Sequence, residues 1–220
     1  MRLRPSAPGR ASLSQPLDIG KTTSHIAPTV PQRNLKENLV EGASRVLFEE
    51  GYHAASVNQI VAAAGVPKGS FYNHFESKED LALEVVRRYA EGYRIDTLVV
   101  AEGSPIARLR SFFEATAERT VERGVEKGCL LGNFSTELAG HSDAIGEFVA
   151  DALEQWGGAV ATVLEQAQEQ EELRRDLDPS TLGPYLVDAY EGAVAHAKVS
   201  GDRAPLDRFL TSTFDQLLTG

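Results

Sequence analysis

Gly65 separates two short segments whose apolar residues must be buried against one another, and this spacing constrains the chain more than any other feature. Upstream, Ser56 followed three residues later by Gln59 is a capping-box pattern that opens a helix. Val57, Ile60, Val61 and Ala64 then fall on one face of it. Downstream, Val66, Phe71 and Phe75 supply the apolar side of another short helix over residues 66–75. Glycine at the junction tolerates left-handed dihedrals, so the chain can turn sharply there. The spacing predicts a helix-turn-helix. Its last helix keeps one exposed side and an exposed N-terminus, bearing Lys68, Gly69, Ser70, Tyr72, Asn73 and His74. Such a side fits a DNA major groove, and the free N–H groups of the terminus favour a phosphate.

The rest of the chain also reads as helix, and no alternating strand pattern is visible. Leu35, Leu39, Ala43 and Leu47 mark a first helix that Gly51 should end. Ser77 and Asp80 cap a longer one with Leu81, Val85, Tyr89 and Tyr93 on one side. Further helices are expected from Ile106 to about Arg123, from Gly128 to Ala139, and from Asp143 to about Leu173 with a compositional break at Gly157-Gly158. The last two run over about 179–200, capped at Asp178-Pro179-Ser180, and from Pro205 to near Leu218. The expected fold is all-α. Residues 33–80 form a three-helix helix-turn-helix DNA-binding domain, and residues 81–220 a helical ligand-binding and dimerisation domain. Residues 1–32 read as a disordered basic tail.

From Ser56 through Ile60, Ala64, Gly65, Val66, Gly69, Phe71, Tyr72, His74, Phe75 and Lys78 to Leu81, the sequence resembles the signature of the TetR family of one-component regulators. The match spans about residues 34–83. The resemblance implies an Ω-shaped homodimer that represses transcription until a small effector binds its C-terminal domain. It also implies that the third helix reads operator DNA, with phosphate contacts from Tyr72, His74 and Lys78. Ser56, Lys68, Gly69, Ser70 and Asn73 complete the expected DNA-binding set.

A second resemblance narrows the first. Lys127-Gly128-Cys129-Leu130-Leu131-Gly132-Asn133-Phe134, Trp156, Glu165-Gln166-Ala167, Glu191-Gly192-Ala193 and Lys198 look like a TetR subgroup of acrylate- and electrophile-responsive repressors. The subgroup implies a lysine beside the cysteine, here Lys198, while Lys127 is close in sequence. A nearby cation would lower the Cys129 pKa and make it a reactive sensor thiolate. The other reading of a lone cysteine is a small buried hydrophobe. Polar and aromatic residues on apolar helix faces give the remaining expected effector contacts: Tyr89, Tyr93, Phe113, Asn133, Trp156, Tyr185, Tyr190 and Glu191. Leu182, Leu186, Ala189, Ala193 and Ala197, with Phe209, Phe214, Leu217 and Leu218, give the last two helices an apolar face expected to form a homodimer.

Charge tests the DNA reading, because the chain carries a formal −10. Residues 1–32 hold Arg2, Arg4, Arg10 and Lys21 against Asp18, and residues 33–80 hold five cations against seven carboxylates. The acidity therefore lies in residues 81–220, and DNA binding follows local charge rather than the total. One cysteine rules out an internal disulfide and a cysteine-rich zinc site. No metal-ligand spacing, phosphate loop, nucleophile elbow or membrane-length apolar run appears, so no metal, cofactor or membrane partner is expected. Met1 to Arg10 has no apolar stretch behind it, so a secretory signal is not expected and the location should be cytoplasmic. The competing readings are an activator or global regulator of the same fold, a Cys129-dependent small-molecule-modifying enzyme, and a passive ligand-binding protein.

Overall fold

The computed structural model describes residues 32–138 and 140–218, with side chains from Leu35 onward. The basic tail expected over 1–32 lies outside that range, save the backbone of Gln32. Among the described residues all regular structure is helical. The N-terminal part comprises α1 (Gln32–Ala54), α2 (Val57–Ala64), α3 (Lys68–Phe71) and α4 (Lys78–Glu91). Next come α5 (Ile95–Val100), α6 (Pro105–Arg123), α7 (Leu130–Glu137), α8 (Asp143–Glu169), α9 (Pro179–Ser200) and α10 (Ala204–Ser212), continued by a wider turn over Thr213–Leu217.

The local signals act as expected at most boundaries. Gly51 takes φ +76° and breaks α1. Ser56 accepts from Gln59 N at 3.2 Å, and Gln59 Oε1 accepts from Ser56 N at 2.9 Å, which closes the capping box. Gly65 caps α2 at φ +66°. Ser77, Ser104, Ser142 and Asp178 cap α4, α6, α8 and α9.

Two segments differ from expectation. The helix expected over 66–75 is a single turn, Lys68–Phe71, because Pro67 lacks an N–H and Tyr72–His74 continue as turns. Tyr93 does not continue α4. The chain leaves the helix at Gly92, Arg94 takes φ +53°, and α5 follows. Gly92 punctuates that break, but α5, at six residues, is too short to show a helical period in the sequence.

The glycine pair in α8 does not interrupt the helix, and one of the two, Gly157, lets α9 approach it. A Cβ on Gly183 would stand 2.5 Å from Gly157 O and 2.6 Å from Ala161 N, both backbone atoms. Gly183→Ala therefore forces the two longest central helices apart. We expect a loss of about 1–3 kcal/mol, read as a lower melting temperature.

The last two helices spend much of their apolar surface inside the protomer. Leu182, Leu186 and Ala197, together with Phe209, Phe214 and Leu218, are buried in its own core, which corrects their assignment to a dimer face. The sequence pattern marks an apolar side without distinguishing which neighbour covers it. What α9 and α10 present outward is Tyr185, Gly192, His196 and Val199, with Ala189 and Ala193 half-buried beside them.

Candidate functional site

The surface that the sequence assigns to DNA is built from α2, α3 and the turn after α3. Ile60, Val61, Val66, Phe71 and Phe75 are buried and hold the pair together. Val66 N closes the turn onto Val61 O at 3.1 Å. A Cβ on Gly42 of α1 would lie 2.7 Å from Ala64 N, so that glycine sets how closely α1 and α2 pack. What remains outside is Lys68, Gly69, Tyr72 (62% exposed) and Asn73, with Ser70 half-buried and Ser56 exposed at the start of α2. Gly69 has nothing within 4 Å of a Cβ built on it, so internal packing does not call for glycine there. A bare backbone at that place lets another backbone come close.

Two expected phosphate contacts are turned inward. Lys78 Nζ donates to Tyr52 O and Ala55 O, each at 2.8 Å, and lies 4.2 Å from the centre of the Tyr52 ring. Burial lowers its pKa, with Glu137 opposing the shift. The ammonium thus ties the end of α1 to α4 and is not free for DNA. His74 is half-buried with Nε2 closed off from solvent. In both cases the surroundings come from folding, which sequence spacing does not display.

The helix-turn-helix is joined to the rest of the chain by polar contacts. Arg88 of α4 pairs with Glu37 of α1 and with Glu84. Glu137 at the end of α7 accepts from Tyr52 N at 2.6 Å and His53 N at 3.4 Å, while the His53 ring meets Glu137 O at 2.9 Å. Glu79 at the start of α4 is hydrogen-bonded by Ser142, the cap of α8. A movement of α4 or α7 is therefore felt by α1.

A cavity of about 600 Å³ lies between α4, α5, α7 and α8. Tyr93 and Trp156, whose rings stack at 5.0 Å, form one wall. Leu131, Phe148, Ala152 and Gln155 form another, and Arg87 and Arg94 stand at its edge. Phe148, Ala152, Gln155 and Trp156 share one face of α8, and this helical period leading back from Trp156 is the sequence signal that marks the set.

The other expected effector residues fall elsewhere. Phe113 and Tyr190 are buried core, packed with Trp156 and Phe209. Tyr185 is 56% exposed on the outer side of α9. Tyr89 borders a smaller recess on the opposite side of α4, and Tyr93 touches both spaces.

Cys129 is 3% exposed, with Tyr89 Oη 3.5 Å and Tyr93 Oη 3.6 Å from its sulfur. Burial, reinforced by the neighbouring Glu191 carboxylate, pushes its thiol up to about 12. Lys198 donates to Asn133 Oδ1 at 2.7 Å, and Lys127 lies 4.0 Å from Glu49. The expected thiolate–lysine pair does not form here. The cation is occupied, and an acid stands in its place.

Glu191 is the other unusual group. One of its oxygens is buried without a hydrogen-bond partner among the described residues, and the other lies against Gly132. Burial raises its carboxyl from 4.5 to about 7, opposed by a bond from Cys129. Below pH 4.5 both folded and unfolded chains keep this proton. Between 4.5 and about 7 only the folded chain keeps it, so stability falls as pH rises, and the loss persists above 7. Glu191→Gln should abolish that slope and stabilise the protein above pH 7 by at most about 3 kcal/mol, measured by urea unfolding across pH. An unchanged slope would contradict the burial of an ionising carboxyl.

A helix-turn-helix set on a larger helical domain with a cavity is the architecture of a regulatory DNA-binding protein, and the comparisons with known proteins agree. Residues 39–85 match the family described as "Bacterial regulatory proteins, tetR family", and residues 105–213 match "Tetracyclin repressor-like, C-terminal domain". The chain is similar to the HTH-type transcriptional repressor DhaR of Mycobacterium sp. (strain GP1), at 39% identity over 84% of this chain and 92% of that protein. It is also similar to the transcriptional regulator AcuR of Cereibacter sphaeroides, at 34% identity over 81% and 82%. Among solved structures, a regulatory protein TetR from Rhodobacter sphaeroides superposes with a TM-score of 0.74 at 33% identity, over 81% of this chain and 95% of that one. The chain belongs to the TetR family of transcriptional regulators. Its relatives and family are regulators rather than enzymes. Among the described residues no helix is long and apolar enough to cross a membrane, and no acidic, cysteine or histidine cluster could hold a metal ion.

Proposed function

We propose that the chain is an effector-responsive repressor that binds a pseudo-palindromic operator as a homodimer. Residues 33–80 serve as its DNA-binding domain and 81–220 as its effector and dimerisation domain. The observation that carries this reading is the exposure of Lys68 at the start of α3 and of Tyr72 and Asn73 in the turn after it, beside a glycine, Gly69, that internal packing does not need. Lys68 and Tyr72 address phosphates, and Asn73 has the amide geometry that reads adenine. The acidity of residues 81–220 faces away from the duplex and discourages nonspecific contact.

The effector occupies the cavity behind Tyr93 and Trp156. Filling it favours a position of α4 and α7 that, through Lys78, Arg88 and Glu137, changes the setting of α1 and so the separation of two recognition helices. The effector acts only through its different affinity for the two arrangements. Burial and the Glu191 carboxylate disfavour the Cys129 thiolate, so this reading takes effector binding as noncovalent. The strip with Tyr185, Ala189, Gly192, Ala193 and His196 on α9 meets a second copy. The protein works in the cytoplasm.

A gel-shift titration on the DNA upstream of the protein's own gene tests this reading. Saturable, salt-sensitive binding of a dimer, reversed by a cavity-filling small molecule, is the expected result. Binding that no small molecule reverses would favour a constitutive regulator, and absence of sequence-specific binding would overturn the repressor.

A further inference from the structure

The last turn of α1 starts afresh after Gly51, whose φ of +76° and ψ of 171° break the helix. The first N–H groups of a new turn have no acceptor within the helix. A local cap would be a Ser, Thr, Asp or Asn side chain, and glycine has none. Glu137 supplies the cap from 85 residues further along the chain: its Oε2 accepts from Tyr52 N at 2.6 Å and from His53 N at 3.4 Å. Two successive N–H groups in such a turn make a small anion-binding concavity. Glycine also makes room for the carboxylate, since a Cβ on Gly51 would stand 2.7 Å from Glu137 Oε1. The His53 ring adds a bond to Glu137 O at 2.9 Å.

The other polar links described above act elsewhere. Lys78 holds carbonyls of the same turn, but it lies within residues 39–85, the DNA-binding match itself. Arg88 reaches Glu37 near the start of α1 through a partly exposed ion pair, a kind of contact that contributes little. Ser142 reaches Glu79 on α4. Glu137 instead bonds the backbone that leads, three residues on, into Ser56, the cap of α2. Its helix also carries Phe134, edge-on to the Tyr52 ring at 6.1 Å, and Leu131, in the wall of the 600 Å³ cavity. Leu131 and Glu137 are less than two helical turns apart, about 9 Å along α7. One short helix thus joins the cavity wall to the cap.

We propose that Glu137 is the positioning residue through which the cavity governs the helix-turn-helix: its carboxylate caps the last turn of α1, and a shift of α7 withdraws that cap and lets α2 and α3 leave their DNA-binding setting. Bonds from N–H groups to a carboxylate are charge-assisted, so they hold the turn more firmly than a neutral cap. Once they are withdrawn, the two N–H groups need water and the turn frays about Gly51, the residue freest to change its dihedrals. That the setting serves an operator rests on the repressor reading, whereas the capping does not.

The test combines amide hydrogen exchange, read by NMR on the full-length protein without DNA, with gel shifts on the same preparations. Glu137→Ala should speed exchange of the Tyr52 and His53 amides about tenfold and weaken operator binding about tenfold. Glu137→Gln, which keeps an acceptor oxygen, should restore both to within about threefold of wild type. Ala152→Phe, which fills the cavity from α8, stands in for an effector. Alone it should speed exchange at Tyr52 and His53 and weaken operator binding; combined with Glu137→Ala it should add less than about twofold to either. A merely structural cap would give additive effects instead. Should Ala152→Phe fail to fold, Gln155→Phe on the same wall replaces it. Wild-type exchange at both amides in Glu137→Ala, unchanged operator affinity in that variant, no rescue by Glu137→Gln, or additivity with the cavity-filling change would each overturn the proposal. Exchange effects as expected in a protein that binds no operator overturn the repressor and leave the cap standing, whereas operator binding with wild-type exchange in Glu137→Ala overturns the cap alone.

Discussion

Replacing Lys68 and Tyr72 together with alanine is expected to weaken operator binding by about a hundredfold, at roughly 1–1.5 kcal/mol for each side chain removed. Both side chains are exposed and neither belongs to the core, so the melting temperature should hold to within about 1–2 °C. The salt dependence separates the two contributions. Removing the Lys68 charge should lower the slope of log affinity against log salt by about one, and removing the uncharged Tyr72 should leave it alone. Lys78→Ala is the informative contrast. Its ammonium holds Tyr52 O and Ala55 O, so its removal should reduce stability first and DNA affinity only as a consequence. Unchanged affinity in the Lys68/Tyr72 variant on a folded protein would reject the docking of α3 against DNA.

Phe113→Ala should be the most destabilising of these substitutions. The ring is fully buried and packs within 5.1–6.1 Å of Trp156, Tyr190, Phe209 and Phe214, which come from α8, α9, α10 and the turn after it. Removing it leaves a cavity that these large rings cannot close together. The cost is about 3–5 kcal/mol, or a fall of roughly 10 °C in melting temperature for a domain of this length. Below that temperature the variant should still bind DNA and still respond to whatever fills the Tyr93–Trp156 cavity. A variant that kept its melting temperature but lost effector response would return Phe113 to the ligand-contacting role its sequence position suggests.

Local features of this chain are legible in the sequence, and relations between distant segments are not. The caps at Ser56, Ser77 and Asp178, the break at Gly51 and the turn at Gly65 each depend on a few neighbouring residues and their dihedral preferences, so their positions follow from spacing. Where sequence and structure part, a partner far away along the chain is involved. Spacing sends Lys78 toward DNA, but its acceptors, Tyr52 and Ala55, lie more than twenty residues upstream. The resemblance places Lys198 beside Cys129, but Asn133 holds it. Tyr185 and Phe113 are both aromatic residues on helices, and only packing sends one outward and the other to the centre. The small residues of α8 and α9 show the same limit. Gly157, half of a pair that reads as a compositional break, is where α8 meets Gly183 of α9 backbone to backbone.

By itself, then, the sequence determined the all-helical class, the helix-turn-helix and the exposure of Lys68, Gly69, Tyr72 and Asn73, but not the half-burial of Ser70 and His74. Those depend on period, capping and turn chemistry within a few residues of one another. Only the tertiary structure decided which charged and aromatic groups share a space. It put Glu191 rather than a lysine near Cys129, and it brought Arg119 and Arg123 together at one recess between α4 and α6. The physical reason is one of range: backbone preference acts along the chain, whereas burial and pairing of charge are settled by neighbours that folding brings together.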